Sequence, residues 1–201
     1  MTFGLKTFII YDIGVIFIYV GGFMDIFMPM STTSHHNKLI NTFIGDVLNL
    51  IRKKEIYALQ SDCALVHWGS KKEPDFISLV NIKEIEDIDR FKSITINELY
   101  YVQPDFMLFK NNPYISNERE TRTAGCPDLI VEIWSENNLN FEREFKLDLY
   151  SSSPITEHWY IEQDSNEVIC YFGSDKIETQ SLTNVLVTRG GIKFDLRYLA
   201  I

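Results

Sequence analysis

Three ionisable residues in the middle of the chain have the types and spacing that cation-assisted hydrolysis requires: Asp105, Glu132 and Lys146. Two carboxylates, a main-chain carbonyl and waters make a good Mg²⁺ or Mn²⁺ site. An ammonium beside such an ion can orient an attacking water, help deprotonate it, or offset phosphate charge. Glu132 interrupts the apolar run Leu129-Ile-Val-Glu-Ile-Trp134. A carboxylate in a run built to be buried is costly unless it is paired or bound to a cation. A structural ion pair would serve equally well. Asp128 stands four residues earlier, roughly 13 Å along a strand, too far to share an ion with Glu132. It reads instead as a strand-entry residue. The partner of Glu132 must come from another strand, and Asp105 is the natural candidate if 102–109 and 128–134 are neighbours. Pro-Asp alone means little, since it recurs at 74–75, 104–105 and 127–128.

These side chains need elements to hold them. Residues 128–134 read as a short buried strand and 99–109 as another, with Pro104 demanding an edge or a bulge. Residues 140–150 read as a helix whose apolar stripe is Phe141, Phe145 and Leu149, leaving Glu142, Lys146 and Tyr150 on the opposite face. On that face a surface Glu142–Lys146 pair worth a few tenths of a kcal/mol competes with a role for Lys146 beside a metal. Strands are expected at 157–162 and 167–172, joined by a turn-rich tetrad, with a further hairpin after 176. Residues 111–124 read as a loop. Upstream, 56–60 and 63–68 read as strands. Residues 35–53 carry Leu39, Ile40, Phe43, Ile44, Val47, Leu48 and Ile51 at helical spacing.

The first 30 residues are strongly apolar, but Asp12 and Asp25 leave too short an uncharged stretch for a spanning helix of about 20 residues. Gly21-Gly22 lies between two β-favouring runs, 13–20 and 23–28, which predicts a hairpin in preference to a membrane anchor over 8–30. Residues 69–98 are charged and irregular and read as an insertion. No repeat, linker or low-complexity segment divides the rest, so one mixed α/β domain over 1–201 is expected.

At 201 residues, with 45% hydrophobic and 23% charged, the composition is that of a globular protein with a sizeable core. The net charge of −9 excludes a broadly basic nucleic-acid coat and leaves room only for a local patch. Cys63, Cys126 and Cys170 form no CxxC pair, which argues against a structural zinc site and fits a cytoplasmic protein.

Taken in order, Val102-Gln-Pro-Asp105, Pro127-Asp-Leu-Ile-Val-Glu-Ile133 with Ser135, Lys146 with Tyr150, and Glu157-His-Trp159-Tyr-Ile161 resemble the Uma2 (DUF820) family of endonucleases, in the PD-(D/E)XK restriction-endonuclease-like superfamily. The resemblance is strongest over 101–172 and weaker over 22–43, where a hairpin leads into a helix opening with His36. It implies a central mixed β-sheet flanked by helices, with an N-terminal β-hairpin. It also implies Mg²⁺- or Mn²⁺-dependent hydrolysis of DNA phosphodiesters, without stable membrane association. In that scheme Asp105, Glu132 and the carbonyl of Ile133 hold the ion. Lys146, on the following helix, replaces the lysine that the superfamily often carries where this chain has Trp134. A homodimer is implied by analogy. The chain departs from the family pattern at Phe17-Ile18-Tyr19-Val20, which holds no acid, at Glu142 in place of aspartate, and at Pro154-Ile155 in place of Gly-Val. Those departures define the alternative, a catalytically degenerate member that binds nucleic acid or protein without cutting. His36 reads as a structural histidine at a helix start.

Overall fold

The structure, a computed structural model, describes residues 9–12, 15–20, 23–27, 34–53, 55–60, 64–70, 99–110, 113–115, 122–135, 138–151, 153, 155–173 and 175–200. The Gly21-Gly22 turn, the Pro-Asp pair at 74–75 and nearly all of the insertion expected at 69–98 lie outside these residues. The chain divides into two units, Met1–Ser34 and His35–Ile201.

In the first unit, β1 (Ile9–Asp12), β2 (Val15–Val20) and β3 (Phe23–Phe27) form an antiparallel meander. Ile18 pairs with Ile9 on one side and Asp25 on the other. The expected hairpin is thus present and carries one further strand. Among the described residues no helix is long and apolar enough to cross a membrane.

The second unit opens with α1 (Ser34–Arg52), all of which but Ser34 belongs to it. Then follow β4 (Tyr57–Gln60), β5 (Ala64–Ser70), β6 (Leu99–Val102), β7 (Phe106–Phe109), β8 (Tyr114–Ile115), β9 (Arg122–Ala124) and β10 (Leu129–Trp134). After α2 (Asn140–Ser151) come β11 (Glu157–Glu162), β12 (Glu167–Phe172), β13 (Asp175–Ser181) and the hairpin of β14 (Val185–Val187) and β15 (Lys193–Asp195). Six strands make the central sheet in the order β13-β12-β11-β10-β7-β4. The β10–β11 pair is parallel and its other neighbours are antiparallel, so the sheet is mixed, as expected. The α2 crossover joins the parallel pair, as such a pair requires.

Two expectations change. The strand expected over 99–109 breaks at 103–105, because Pro104 has no N–H for a ladder. Its first half, β6, joins a second sheet of order β6-β5-β9-β8, and its second half, β7, enters the central sheet. The loop expected over 111–124 contains β8 and β9, which pair with each other.

Alternation along the strands gives the central sheet two different faces. Leu129, Val131 and Ile133 point with Phe106, Leu108, Trp159 and Ile161 into one core, which Leu39, Ile40, Phe43 and Val47 of α1 complete. Phe43 lies at the centre, its ring 4.7 Å from Phe194 and 5.2 Å from Phe106. The other face carries Met107, Phe109, Ile130, Trp134 and Tyr160, closed by Tyr150 of α2. Glu132 sits in the middle of this second face.

Glu157 ties the C-terminal hairpin to the sheet. Its buried carboxylate accepts the Trp159 indole N–H at 2.7 Å and the Arg189 main-chain N–H at 2.9 Å. An amide offers one acceptor where the carboxylate offers two, so Glu157→Gln is expected to cost about 1–3 kcal/mol in urea unfolding. An unchanged midpoint would show that the hairpin needs no such anchor.

Candidate metal centre

Asp105 stands one residue before β7, whose register with β10 pairs Phe106 with Val131. Just past the end of this ladder, Asp105 lies near enough for its charge to act on Glu132 and Lys146. The bend at 103–105 is closed by a side chain: Asp105 Oδ2 accepts the main-chain N–H of Ile133 at 2.7 Å. Its other oxygen, Oδ1, lies 3.0 Å from Nε2 of His36 in the first turn of α1. Asp105 and Glu132 are both buried.

Lys146 and Tyr150 reach Glu132 from α2. Lys146 Nζ donates to Glu132 Oε2 at 2.7 Å, and the Tyr150 hydroxyl donates to Oε1 at 2.6 Å. Glu142, one turn earlier, places Oε1 3.9 Å from the same ammonium. Glu142, Lys146 and Tyr150 are the buried residues of this helix, while Phe141 and Phe145 are 39% and 40% exposed. The grouping of residues by face was therefore right, but the face turned inward is the polar one. Glu132 is the reason: a carboxylate at 1% exposure needs donors, and α2 is the element that brings them.

The electrostatics follow from this burial. Desolvation pushes the Glu132 carboxyl up to about 7, aided by the nearby charge of Asp105 and opposed by Lys146 and Tyr150. Desolvation pulls Lys146 down, but Glu132, Asp105 and Glu142 together more than offset it and hold the amine above its ordinary range. The acids around the amine favour its ammonium form.

Among the described residues no group of three His, Cys, Asp or Glu side chains converges closely enough to hold a metal ion by itself. The donor set still fits Mg²⁺ or Mn²⁺. Mg²⁺ keeps several waters and binds through one or two carboxylates plus substrate phosphate, with no need of an all-protein cage. The cluster also carries carboxylates from Asp105, Glu132 and Glu142 against the single ammonium of Lys146, an excess of negative charge that a divalent cation would balance.

Of the residues singled out by sequence, Asp105, Glu132 and Lys146 are brought together. Ile133, expected as a carbonyl ligand, contributes its main-chain N–H to Asp105. Asp128 stands apart and caps the strand entry, accepting the Lys110 main-chain N–H at 2.7 Å. Sequence reasoning missed two partners. His36, read as structural, faces Asp105, and no local pattern could show a contact across 69 residues. Tyr150 could have been found, because it shares the i, i+4 face of Lys146.

No curated protein matches. A solved protein from Anabaena variabilis ATCC 29413, described as "a putative nuclease belonging to DUF820", superposes with a TM-score of 0.56 at 12% identity, over 92% of each chain. At that identity the likeness is one of fold. The family model Uma2, described as "Putative restriction endonuclease", matches residues 86–189. That span holds Asp105, Glu132, Lys146 and Tyr150 and more than half of the sequence, and the chain belongs to the Uma2 family.

Proposed function

We propose that this chain is a metal-dependent endonuclease that hydrolyses DNA phosphodiester bonds, a cytoplasmic enzyme acting as one domain over 1–201 and as a homodimer. The observation that carries the reading is the convergence of Asp105, from the bend before β7, Glu132, from β10, and Lys146, from α2, onto one buried spot, in a chain of the Uma2 family. Asp105 and Glu132 are the side chains that would hold Mg²⁺ or Mn²⁺, with the carbonyl of Ile133 beside them. Such an ion, when bound, supplies charge stabilisation at the scissile phosphate and lowers the pKa of a bound water. The chain's own residues do the rest. Asp105 is held in one rotamer by the Ile133 N–H and His36. Lys146, kept protonated by the acids around it, holds Glu132 and offers its remaining N–H groups to the nucleophile or a phosphate oxygen. The second reading, a degenerate binding module, draws on the absence of any acid at 17–20 and on the net charge of −9.

Plasmid cleavage with Mg²⁺ or Mn²⁺ tests the assignment. Asp105→Asn keeps an acceptor for the Ile133 N–H but removes the charge, and it is expected to lower the rate by about 100-fold or more, the scale of losing one transition-state stabiliser. Cleavage unaffected by Asp105→Asn would assign the activity elsewhere. Metal-dependent DNA binding without cutting by the unsubstituted chain would favour the second reading.

A further inference from the structure

We propose that Tyr150 is a positioning residue of this centre: its hydroxyl, as distinct from its ring, fixes the plane of the Glu132 carboxylate and so the direction in which that group meets a divalent cation. The inference rests on the metal-dependent reading above.

The last torsion of a glutamate, which turns the carboxylate plane, is soft and broad. A single donor leaves that plane free to swing about the contact. In this structure the two oxygens are held separately, Oε2 by Lys146 at 2.7 Å and Oε1 by Tyr150 at 2.6 Å. The two donors lie one helical turn apart on α2, so one rigid element grips both ends of the group. Tyr150 is fully buried, so water does not compete for its hydroxyl. The ring alone would fill the same place among Met107, Phe109 and Ile130. Packing therefore accounts for an aromatic at 150, but not for the hydroxyl.

A matched control lies on the next strand. Tyr160 pairs in register with Glu132 and is equally buried, yet among the described residues its hydroxyl has no hydrogen-bond partner. Losing either hydroxyl removes the same atom from the same side of the sheet. Only one of them is bonded to Glu132.

Mn²⁺ binding to the full chain, measured by calorimetry, is the test. Tyr150→Phe should raise the dissociation constant by roughly 10- to 100-fold, the usual consequence of removing a group that orients a metal ligand. Tyr160→Phe should leave it within about threefold, a margin well below that range. Tyr150→Phe within the same margin, or Tyr160→Phe as damaging as Tyr150→Phe, overturns the positioning role and leaves the nuclease reading standing. No Mn²⁺ binding by the unsubstituted chain overturns both. A second measurement does not depend on the variant folding. With the tyrosines labelled at Cζ, a Mg²⁺ titration of the unsubstituted chain should shift a tyrosine resonance with the half-point of binding. Flat titrations for all 10 tyrosines overturn the proposal.

Discussion

Lys146→Met is expected to cost the fold about 3–5 kcal/mol at about pH 9, well above the Glu132 carboxyl, because it removes the cation that lets this carboxylate stay ionised in the interior. Lys146 and Glu132 are 3% and 1% exposed, and their contact is 2.7 Å. The methionine fills the space of the lysine stem, so the loss reports the uncompensated charge and not a cavity. Adding Glu132→Gln should restore most of it. The amide keeps an acceptor for the Tyr150 hydroxyl and brings no charge, and replacing both members of a buried pair is often close to neutral. Urea unfolding of the wild type, both single variants and the double variant forms the cycle. A loss below about 1 kcal/mol for Lys146→Met is the value for an exposed pair and would place this one in solvent. The same numbers caution against Lys146 as a probe of catalysis. A variant that loses this much stability loses activity for reasons unrelated to the nucleophile, whereas Asp105→Asn does not unbalance the interior in that way.

Acid should weaken the protein through His158. The side chain is fully buried on the second face, stacked 5.2 Å from the Tyr171 ring, and among the described residues neither ring nitrogen has a hydrogen-bond partner. Burial alone pushes its pKa down to about 4 from an ordinary 6.5. The folded histidine therefore stays neutral while the unfolded one takes up a proton. Between those two values the unfolded state binds more protons, so stability falls as pH falls from 6.5 towards 4. The full contribution is roughly 3 kcal/mol, of which about 2 kcal/mol is lost by pH 5. Glu132 acts in the opposite sense, since its raised pKa favours the folded state as pH drops below 7. Comparison with His158→Phe cancels that term. The variant keeps the stacking ring and has nothing to protonate, so it should match the wild type at pH 7.5 and exceed it by about 2 kcal/mol at pH 5. Parallel curves for the two proteins would mean that His158 is hydrated or paired in the folded state.

Which residues share a face was legible from one-dimensional periods. Residues 128–134, 157–162 and 167–172 alternate as strands and appear as β10, β11 and β12. Residues 35–53 and 140–150 repeat as helices and appear as α1 and α2. The order of the motifs was enough to suggest the family that the comparison then showed. Local composition misjudged 99–109, where an apolar run conceals a break between two sheets, and 111–124, where polar residues nevertheless pair as β8 and β9. Strand pairing draws on partners far along the chain, which local composition does not report.

Periodicity also assigned Glu142, Lys146 and Tyr150 to one side of α2 and Phe141, Phe145 and Leu149 to the other, and hydrophobicity then chose the wrong side to bury. A helix records the angle between its residues, not the surface it will meet. The surface that α2 meets is set by β10, where Glu132 stands among apolar neighbours with Asp105 nearby. Residue types and their periods were the sequence's to decide, because they depend on neighbours within a turn or a pleat. The meeting of Asp105 with His36 and Glu132, and of Glu132 with Lys146 and Tyr150, was decided by the tertiary structure alone. Only strand pairing and helix docking bring groups separated by 14 to 69 residues within hydrogen-bond reach.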